Sequence, residues 1–267
     1  MSAAQFEARV TANTRLGGGY FTLELEADAP TPVAAARPGQ FVMLRGAWGR
    51  ELLNPRAFSV LHAEGPRLAI LAKPYGLGTR RMHALRPGDP ITVTGPLGGG
   101  FPDPDPAIRD LLVAGGVGLP PLHLQARVAA GAGLGRQQEL FYGGRDRSDL
   151  VMLDDFARWN ITTRLATEDG SLGVRGRVTD ALRPRLVEAR AAGERVRILS
   201  CGPTPMLAAV RHLGLEYGVE TLLCLEENMA CGFGVCLGCA VPVHGPKPYR
   251  YCCTDGPVFD AREVRWP

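Results

Sequence analysis

Five of the seven cysteines in this chain lie within one stretch of 23 residues near its C-terminus. Four residues separate Cys231 from Cys236 and two separate Cys236 from Cys239, and a further cysteine follows after 12 or 13 residues, as Cys252 or Cys253. This C-x4-C-x2-C…C spacing is typical of plant-type [2Fe-2S] sites. Two irons bridged by sulfides need four thiolates, so one loop must curl around the cluster while a distant cysteine completes the site. We therefore expect an iron-sulfur site at this end of the chain.

Three glycines inside the cysteine loop agree with this interpretation. Gly232, Gly234 and Gly238 allow tight turns and let backbone N–H groups point at the sulfurs, where they stabilise negative charge. A structural zinc site is the alternative, but such sites usually contain two C-x(2–4)-C pairs, and only Cys236 and Cys239 form one here. A non-catalytic binding module folded around zinc stays open as a second class of protein.

The composition excludes several other classes of protein. Seven cysteines among 267 residues are too few, and odd in number, for a secreted disulfide scaffold, in which cysteine exceeds ~8–10%. Lys and Arg number 30 against 27 for Asp and Glu, so the net charge of +3 indicates no nucleic-acid or membrane partner. The first residues lack a basic, hydrophobic leader, and no apolar run approaches the ~18–20 residues of a membrane span. We expect a cytoplasmic protein whose clustered cysteines bind metal.

Residues 1–102 show a pattern of short strands separated by Gly and Pro. Phe21, Leu23 and Leu25 alternate with polar residues, which predicts a half-buried strand. Further short strands are predicted at 40–44, 57–61, 68–72 and 91–94, and a short helix at 79–85. About six antiparallel strands of this spacing favour a small β-barrel.

A proline-rich segment at 101–106 predicts a linker, because alternating prolines remove backbone donors and resist regular structure. Beyond it, short apolar strands alternate with helices, a pattern that favours a doubly wound α/β domain with a parallel sheet. The predicted strands are 111–114, 139–142, 162–166, 196–200 and 221–225, and the predicted helices are 121–129, 150–159, 178–191 and 205–217. The expected domains are thus a barrel at 1–102, an α/β domain at 106–225 and a cysteine-bearing segment at 226–267.

A glycine-rich loop follows the first strand of the α/β half. Glycines at a strand-to-helix junction let a diphosphate approach the backbone at a helix N-terminus. The sequence Gly116-x-Gly118-x-x-Pro121 departs from the usual dinucleotide fingerprint because it ends in proline. A plain tight turn is the alternative for this motif taken alone.

The barrel half carries a third motif, Arg56-Ala57-Phe58-Ser59, followed by Gly78-Thr79 about twenty residues on. An arginine clamps phosphate in a bidentate fashion, and the N–H groups of the short helix that opens at Gly78-Thr79 are candidates for holding a second anion. An ordinary surface charge and an ordinary helix cap are the alternatives.

The order of these motifs resembles the ferredoxin-NADP reductase family, in which a β-barrel binds flavin and an α/β domain binds NAD(P)H. Ala57 replaces the frequent proline of the family's R-P-x-S flavin motif. The flavin contacts that the resemblance implies are Arg56, Ala57, Phe58, Ser59, Leu71, Ala72, Lys73, Gly78 and Thr79. The implied nicotinamide-dinucleotide contacts are Gly116, Gly118, Pro121, Cys201, Gly202 and Pro203, with a buried structural thiol as the alternative for Cys201.

The C-terminal segment narrows the resemblance. Residues 226–239 and 253–259 are similar to the electron-transfer subunits of the two-subunit, NAD-linked dihydroorotate dehydrogenases of pyrimidine synthesis. In that family the last cluster cysteine directly precedes an x-D-G-P-V-F segment, which selects Cys253 as the fourth ligand after Cys231, Cys236 and Cys239. Cys252 is then a spare thiol, and we expect Cys224 in the core.

The resemblance implies FAD, a [2Fe-2S] cluster and NAD(H), because a flavin joins two-electron to one-electron transfer. It also implies a partner, an FMN-containing dihydroorotate dehydrogenase catalytic subunit, in a heterotetramer of two plus two. The base for dihydroorotate is expected in the partner, so no catalytic acid or base is assigned to this chain. Glu168 and Asp169 follow the third α/β strand, where an acidic side chain favours NAD over NADP. The alternatives are related subunits of a hydrogenase or of an NADH-dependent ferredoxin:NADP oxidoreductase.

Overall fold

The computed structural model describes residues 3–49 and 51–266, so the outer limits expected for the first and last domains, residues 1 and 267, lie outside the described residues. The N-terminal half forms one antiparallel sheet of seven strands, in the order β4-β3-β7-β1-β2-β6-β5. Its elements are β1 (Ala4–Arg15), β2 (Phe21–Glu26), β3 (Phe41–Gly46), β4 (Arg56–Ser59), β5 (His62–Glu64), β6 (Arg67–Ala72), α1 (Leu77–His83) and β7 (Pro90–Leu97). The sheet curls around an apolar core, to which Phe21, Leu23 and Leu25 contribute as their alternation predicts.

The sheet has seven strands where about six were predicted, and the five predicted ranges omit the short edge strand β5 and the first strand, β1. This strand is the longest of the sheet, but it is polar on its outward face and passes through an irregularity in its register with β2 between Val10 and Ala12. Beyond that point Asn13 turns its side chain to the carbonyls of Met82 and Leu85, at 3.0 and 2.9 Å. Contacts with residues distant in the sequence, and not an alternation of apolar side chains, therefore stabilise the second half of β1.

The second half is a parallel sheet with helices packed against it, as predicted. Its strands run in the order β11-β10-β9-β8-β12-β13-β16, and only the last pair is antiparallel. The elements up to residue 224 are β8 (Arg109–Gly115), α2 (Leu119–Gly131), β9 (Gln138–Gly144), α3 (Leu153–Arg158), β10 (Thr162–Thr167), β11 (Val174–Arg175), α4 (Val178–Ala192), β12 (Val196–Cys201), α5 (Thr204–Tyr217) and β13 (Glu220–Cys224). The helix predicted at 150–159 is shorter than expected, because Met152 has a left-handed backbone (φ 62°) that cannot continue a helix.

The proline-rich linker has no regular structure, but it is anchored to the barrel. Phe101 is fully buried, its N–H donates to the carbonyl of Pro38 at 2.7 Å, and its carbonyl accepts from Arg37 Nη2 at 3.0 Å. The start of the linker is therefore held against the barrel.

The C-terminal segment lies between the two halves. It contains a small hairpin, β14 (Ala240–Pro242) with β15 (Tyr249–Tyr251), and then β16 (Val258–Asp260), which pairs with β13 and completes the α/β sheet. On the barrel side, the N–H of Gly99 donates to the carbonyl of Gly256 at 2.6 Å. Within the described residues, none of the helices is long and apolar enough to cross a membrane.

Candidate functional site

A cleft with a volume of about 1020 Å³ lies where the barrel, the α/β sheet and the C-terminal segment meet. The ends of β4 and β6 form one wall, and the ends of β8, β9 and β12 form the opposite wall. Residues 224–229, which lead from β13 to the cysteine loop, line a third side. The carboxyl ends of parallel strands are where α/β sheets bind ligands, so the position agrees with a nucleotide site.

Most residues of the expected flavin motif face this cleft. Its lining includes Ala57, Phe58, Ser59, Leu71, Ala72, Lys73 and Thr79. Arg56 and Gly78 are not part of the lining and pack against each other, since a Cβ atom on Gly78 would come within 2.8 Å of Arg56 Nε. The guanidinium of Arg56 donates to the carbonyl of Asn54 at 2.7 Å. The hydroxyl of Thr79 accepts from the N–H groups of Tyr75 and Gly76, at 2.8 and 3.0 Å, so it caps the first turn of α1.

In the glycine-rich loop, too, some of the expected contact residues line the cleft and others do not. Gly116 lines the cleft and has a left-handed backbone (φ 56°), which favours glycine. Gly118 lies beneath it, and any side chain there would collide with the carbonyl of Cys201 at the end of β12. Pro121 is buried in the first turn of α2. These two positions thus pack helix against strand, and Gly116 is the one exposed to a ligand.

The Cys-Gly-Pro turn that follows β12 brings only its proline to the cleft. Pro203 lines the cavity, whereas Cys201 is fully buried. A hydrogen bond with Cys224, together with this burial, raises the pKa of the Cys201 thiol well above its usual value. Cys224 stands opposite Cys201 on the neighbouring strand, and it lines the cleft. Both thiols belong to the buried core, as predicted for Cys224 and as the alternative for Cys201 has it, and of the two only Cys224 also lines the cleft.

An ion cluster on the cleft wall escaped sequence reasoning. Lys73 Nζ donates to Asp149 Oδ1 at 2.9 Å, and Arg145 Nε donates to Asp149 Oδ2 at 2.7 Å. Lys73 also lies 4.5 Å from the ring centre of Tyr20, whose pKa burial and the Asp149 charge raise to about 12. All four residues line the cleft. The sequence signal that could have indicated this cluster is the position of Arg145 and Asp149, four residues apart, directly after the glycines that end β9.

The two acidic residues after β10 differ in what they face. Glu168 lines the cleft, whereas Asp169 Oδ1 accepts the N–H of Ser171 at 2.9 Å within its own turn. Hydrogen bonds from Ser171 hold the pKa of Asp169 below its usual range. Of the two carboxylates, Glu168 is thus the one that faces the cleft.

The cysteine loop is built around two pairs of sulfurs and backbone donors. The N–H of Cys236 donates to Cys231 Sγ, and the N–H of Cys253 donates to Cys239 Sγ, both at 3.5 Å. Although burial by itself raises the pKa of the Cys231 thiol, N–H groups of the loop, including that of Cys236, lower it to about 6. Gly232 and Gly234 both have positive φ angles, 84° and 87°, which give the loop its tight turns.

Adjacent cysteines 252 and 253 have different surroundings. Cys252 is fully buried, and its Sγ donates to the carbonyl of Leu225 at 3.4 Å, on the side of the cleft. Cys253 lies on the side of the cysteine loop, where burial and a hydrogen bond with Cys239 raise its pKa to about 12. In the part of the chain that the structure describes, no three Cys, His, Asp or Glu side chains converge on one metal-ion position. Thiols that already accept backbone N–H groups fit thiolate ligands of an iron-sulfur cluster.

The fold and the cleft define a reductase of the ferredoxin-NADP reductase type. Residues 112–212 match the oxidoreductase NAD-binding domain, and residues 226–265 match the iron-sulfur cluster binding domain of dihydroorotate dehydrogenase B. A solved structure of an NADH-dependent reduced ferredoxin-NADP oxidoreductase superposes with a TM-score of 0.80 at 27% identity, over 97% of this chain and 90% of that one. A ferredoxin NADP+ reductase from Neisseria gonorrhoeae has a TM-score of 0.64 at 16% identity, over 85% and 95%, and so shares the fold.

Curated relatives give the particular family. The electron transfer subunit of dihydroorotate dehydrogenase B (NAD(+)) from Caldanaerobacter subterraneus subsp. tengcongensis is 34% identical over 97% of this chain and 98% of its own length. The corresponding subunit from Listeria monocytogenes serovar 1/2a is 36% identical over 98% and 99%. The chain therefore belongs to the family of electron-transfer subunits of NAD-linked dihydroorotate dehydrogenase B, and the resemblance inferred from its motifs is confirmed.

Proposed function

We propose that this chain is the electron-transfer subunit of an NAD-linked dihydroorotate dehydrogenase in UMP biosynthesis. It takes electrons from the FMN of a catalytic subunit and passes them through a [2Fe-2S] cluster and FAD to NAD+. The observation that supports this most directly is the single cleft lined by the flavin motif, by Gly116 of the glycine-rich loop and by the approach to the cysteine loop. A bound flavin supplies the exchange between hydride and single electrons.

The chain's own residues have three tasks in this scheme. Phe58, Ser59 and Leu71 offer a stacking surface, a hydroxyl and an apolar wall on the flavin side of the cleft. Gly116 and Pro203 offer the nicotinamide dinucleotide a close approach on the opposite wall. Since the two walls face each other across one cleft, both ligands are brought together with water displaced from between them.

A short, dry connection leads from the cleft to the expected cluster ligands. Leu225 lines the cleft, and its carbonyl accepts from Cys252 Sγ at 3.4 Å. The N–H of Cys252 donates to the carbonyl of Cys239 at 2.9 Å. Because Leu225, Cys252 and Cys239 are all buried, this connection runs through packed protein as far as the expected ligand Cys239.

The cysteine loop also supports a partner subunit. Phe233, Val235 and Leu237 are all more than half exposed around the four thiols, and such apolar exposure marks interaction sites. We infer that the FMN-containing catalytic subunit covers them, in a complex of two plus two chains. We place this complex in the cytoplasm, where thiols stay reduced and available to a cluster.

Co-purification with the partner and an absorption spectrum test this function. We expect flavin and iron-sulfur bands that NADH bleaches together, and dihydroorotate:NAD+ activity in the complex. An intact flavin and iron-sulfur complex without that activity would transfer the proposal to the related ferredoxin:NADP or hydrogenase subunits. A colourless protein with bound zinc would establish the non-catalytic module instead.

A further inference from the structure

Two cations from opposite halves of the molecule share one carboxylate on the wall of the cleft. Lys73 follows β6 of the barrel, and Arg145 follows β9 of the α/β sheet. Lys73 Nζ lies 2.9 Å from Asp149 Oδ1. Arg145 binds the same carboxylate in a bidentate manner, with Nε 2.7 Å from Oδ2 and Nη2 3.1 Å from Oδ1. The side chain of Asp149 is only 6% exposed, whereas both cations remain open to the cleft.

The cluster itself carries an excess of positive charge. Two cations and one carboxylate sum to a charge of +1, and the carboxylate is much more buried than either cation. Holding long Lys and Arg side chains in place costs conformational entropy, which the buried carboxylate offsets before any ligand arrives. The wall is thus organised in advance for an anion in the cleft.

The backbone next to these cations is bare enough to admit a phosphate. Gly115, Gly116, Gly143 and Gly144 all line the same wall, without side chains. The hydroxyl of Tyr142 donates to the carbonyl of Asp149 at 3.1 Å and lies 3.5 Å from the carbonyl of Gly116, so it ties the ion cluster to the glycine-rich loop. Cations held beside an exposed glycine backbone are the features of a diphosphate site.

We propose that Lys73 and Arg145 form a paired cation site for the diphosphate of the nicotinamide dinucleotide, with Asp149 as the residue that positions them. This inference rests on the proposed function, since it assigns a task within the same cleft. It moves Lys73 from the flavin contacts that the resemblance implies to the dinucleotide on the opposite wall. It also adds Arg145 and Asp149, which no motif had indicated.

A simple strut between the two halves is the competing interpretation. The chain has such a strut elsewhere, since Arg127 of α2 approaches Glu64 of β5 at 3.5 Å away from the cleft lining. That pair is largely exposed and faces no glycine backbone. The Lys73–Asp149–Arg145 cluster differs because it lines a cavity and carries net charge.

The test compares Arg145→Gln and Lys73→Gln with Arg147→Gln. Arg147 lies two residues from Arg145, is exposed and does not line the cleft, so its variant makes the same charge change outside the site. Each holoenzyme is assayed for flavin reduction by NADH and by reduced nicotinamide mononucleotide, which has the same hydride-donating ring but no diphosphate. In the two site variants we expect kcat/KM for NADH to fall about tenfold because KM rises. A change of about tenfold corresponds to the loss of one charge-assisted hydrogen bond. With the mononucleotide, and in Arg147→Gln with either donor, the rates should stay within about twofold.

Two outcomes overturn the proposal. An equal loss of kcat/KM with NADH and with the mononucleotide would identify a strut. If Arg145→Gln kept the wild-type preference for NADH over the mononucleotide, a diphosphate contact would be excluded. Calorimetric titration with ADP-ribose adds a readout without redox chemistry, and we expect about tenfold weaker binding in Arg145→Gln but not in Arg147→Gln. If the wild type binds ADP-ribose in this way but NADH does not reduce its flavin, the proposed function fails and the cation site stands.

Discussion

At the scale of single residues, direct neighbours in sequence have separate tasks. Cys252 and Cys253 point to opposite sides of the same segment, one towards Leu225 at the cleft and the other towards Cys239 in the loop. Glu168 and Asp169 divide in the same way between the cleft and a local turn. Both pairs lie in turns that follow a strand, where the backbone changes direction at each residue, so the motif alone does not say which neighbour faces the site.

The cysteine pair leads to the first prediction. Cys253→Ser should abolish cluster assembly, because serine removes a thiolate from the expected set of four. Cys252→Ser should keep the cluster, since its sulfur bonds a backbone carbonyl that a hydroxyl can also serve. Visible absorbance and iron content of the purified variants measure the difference. A cluster that is lost only in Cys252→Ser would reverse the assignment.

The acidic pair leads to the second prediction, which concerns the choice of dinucleotide. Glu168→Gln should raise kcat/KM for NADPH by about tenfold, because a carboxylate in the cleft repels a 2′-phosphate. Asp169→Asn is the matched control, since the amide oxygen can still accept the N–H of Ser171. Steady-state kinetics with NADPH and NADH measure the preference. Equal gains in both variants would show that total charge, and not position, decides it.

At the scale of elements, apolar periodicity predicted most strands and helices, because their buried faces repeat with a fixed spacing. The helix predicted at 178–191 is present as Val178–Ala192, and the one at 205–217 as Thr204–Tyr217. The failures are β1, the short strand β5 and the start of α3, where Met152 is left-handed. The left-handed backbone of Met152 leaves no periodic signal, whereas Phe6, Ala8 and Val10 alternate with polar residues and do mark the first half of β1.

The packing of α2 leads to the third prediction. Gly118→Ala should lower the free energy of unfolding by about 1–3 kcal/mol, because the new methyl group meets the rigid carbonyl of Cys201. Gly131→Ala, at the other end of the same helix, has open space around it and should be neutral or stabilising by up to about 1 kcal/mol. Urea unfolding followed by circular dichroism compares the two. Similar losses in both would mean that the approach of helix and strand is not tight.

At the scale of the whole molecule, the C-terminal segment and the ion cluster both connect the barrel with the α/β half, which the sequence predicts to be separate domains. The segment that carries the cysteines also supplies β16 to the α/β sheet and Gly256 to the barrel. The ion cluster connects Lys73 of the barrel with Asp149 of the α/β half. The three expected domains therefore share one cleft and depend on each other for its shape.

The carboxylate of this cluster leads to the fourth prediction, on pH. The hydrogen bond from Arg145, with help from Lys73, holds the pKa of Asp149 well below its usual 3.8. A carboxyl with a depressed pKa stabilises the folded state above the unfolded pKa, and this contribution is lost as the pH falls below 3.8 towards the folded pKa. Asp149→Asn should therefore be less stable than the wild type at neutral pH, by about 2 kcal/mol, and the gap should close in acid.

Asp154→Asn is the control for this prediction, because it removes one negative charge from the exposed side of α3. Urea titrations at neutral pH and in steps down to about pH 3 measure the three proteins. A gap between wild type and Asp149→Asn that stays constant through the acid range would mean that the carboxylate contributes by shape alone.

The sequence by itself determined the two folds, their order and the family. These properties depend on local spacing: period-two strands, helical repeats, and cysteines and glycines close together in the chain. Only the tertiary structure decided which residues meet in the cleft. It brought Arg145, Asp149 and Cys224 to its walls beside Lys73, and it left Arg56, Gly118 and Cys201 out of its lining. The physical reason is that a side chain's neighbours across two domains depend on how the sheets twist and pack, and no spacing along the chain records that.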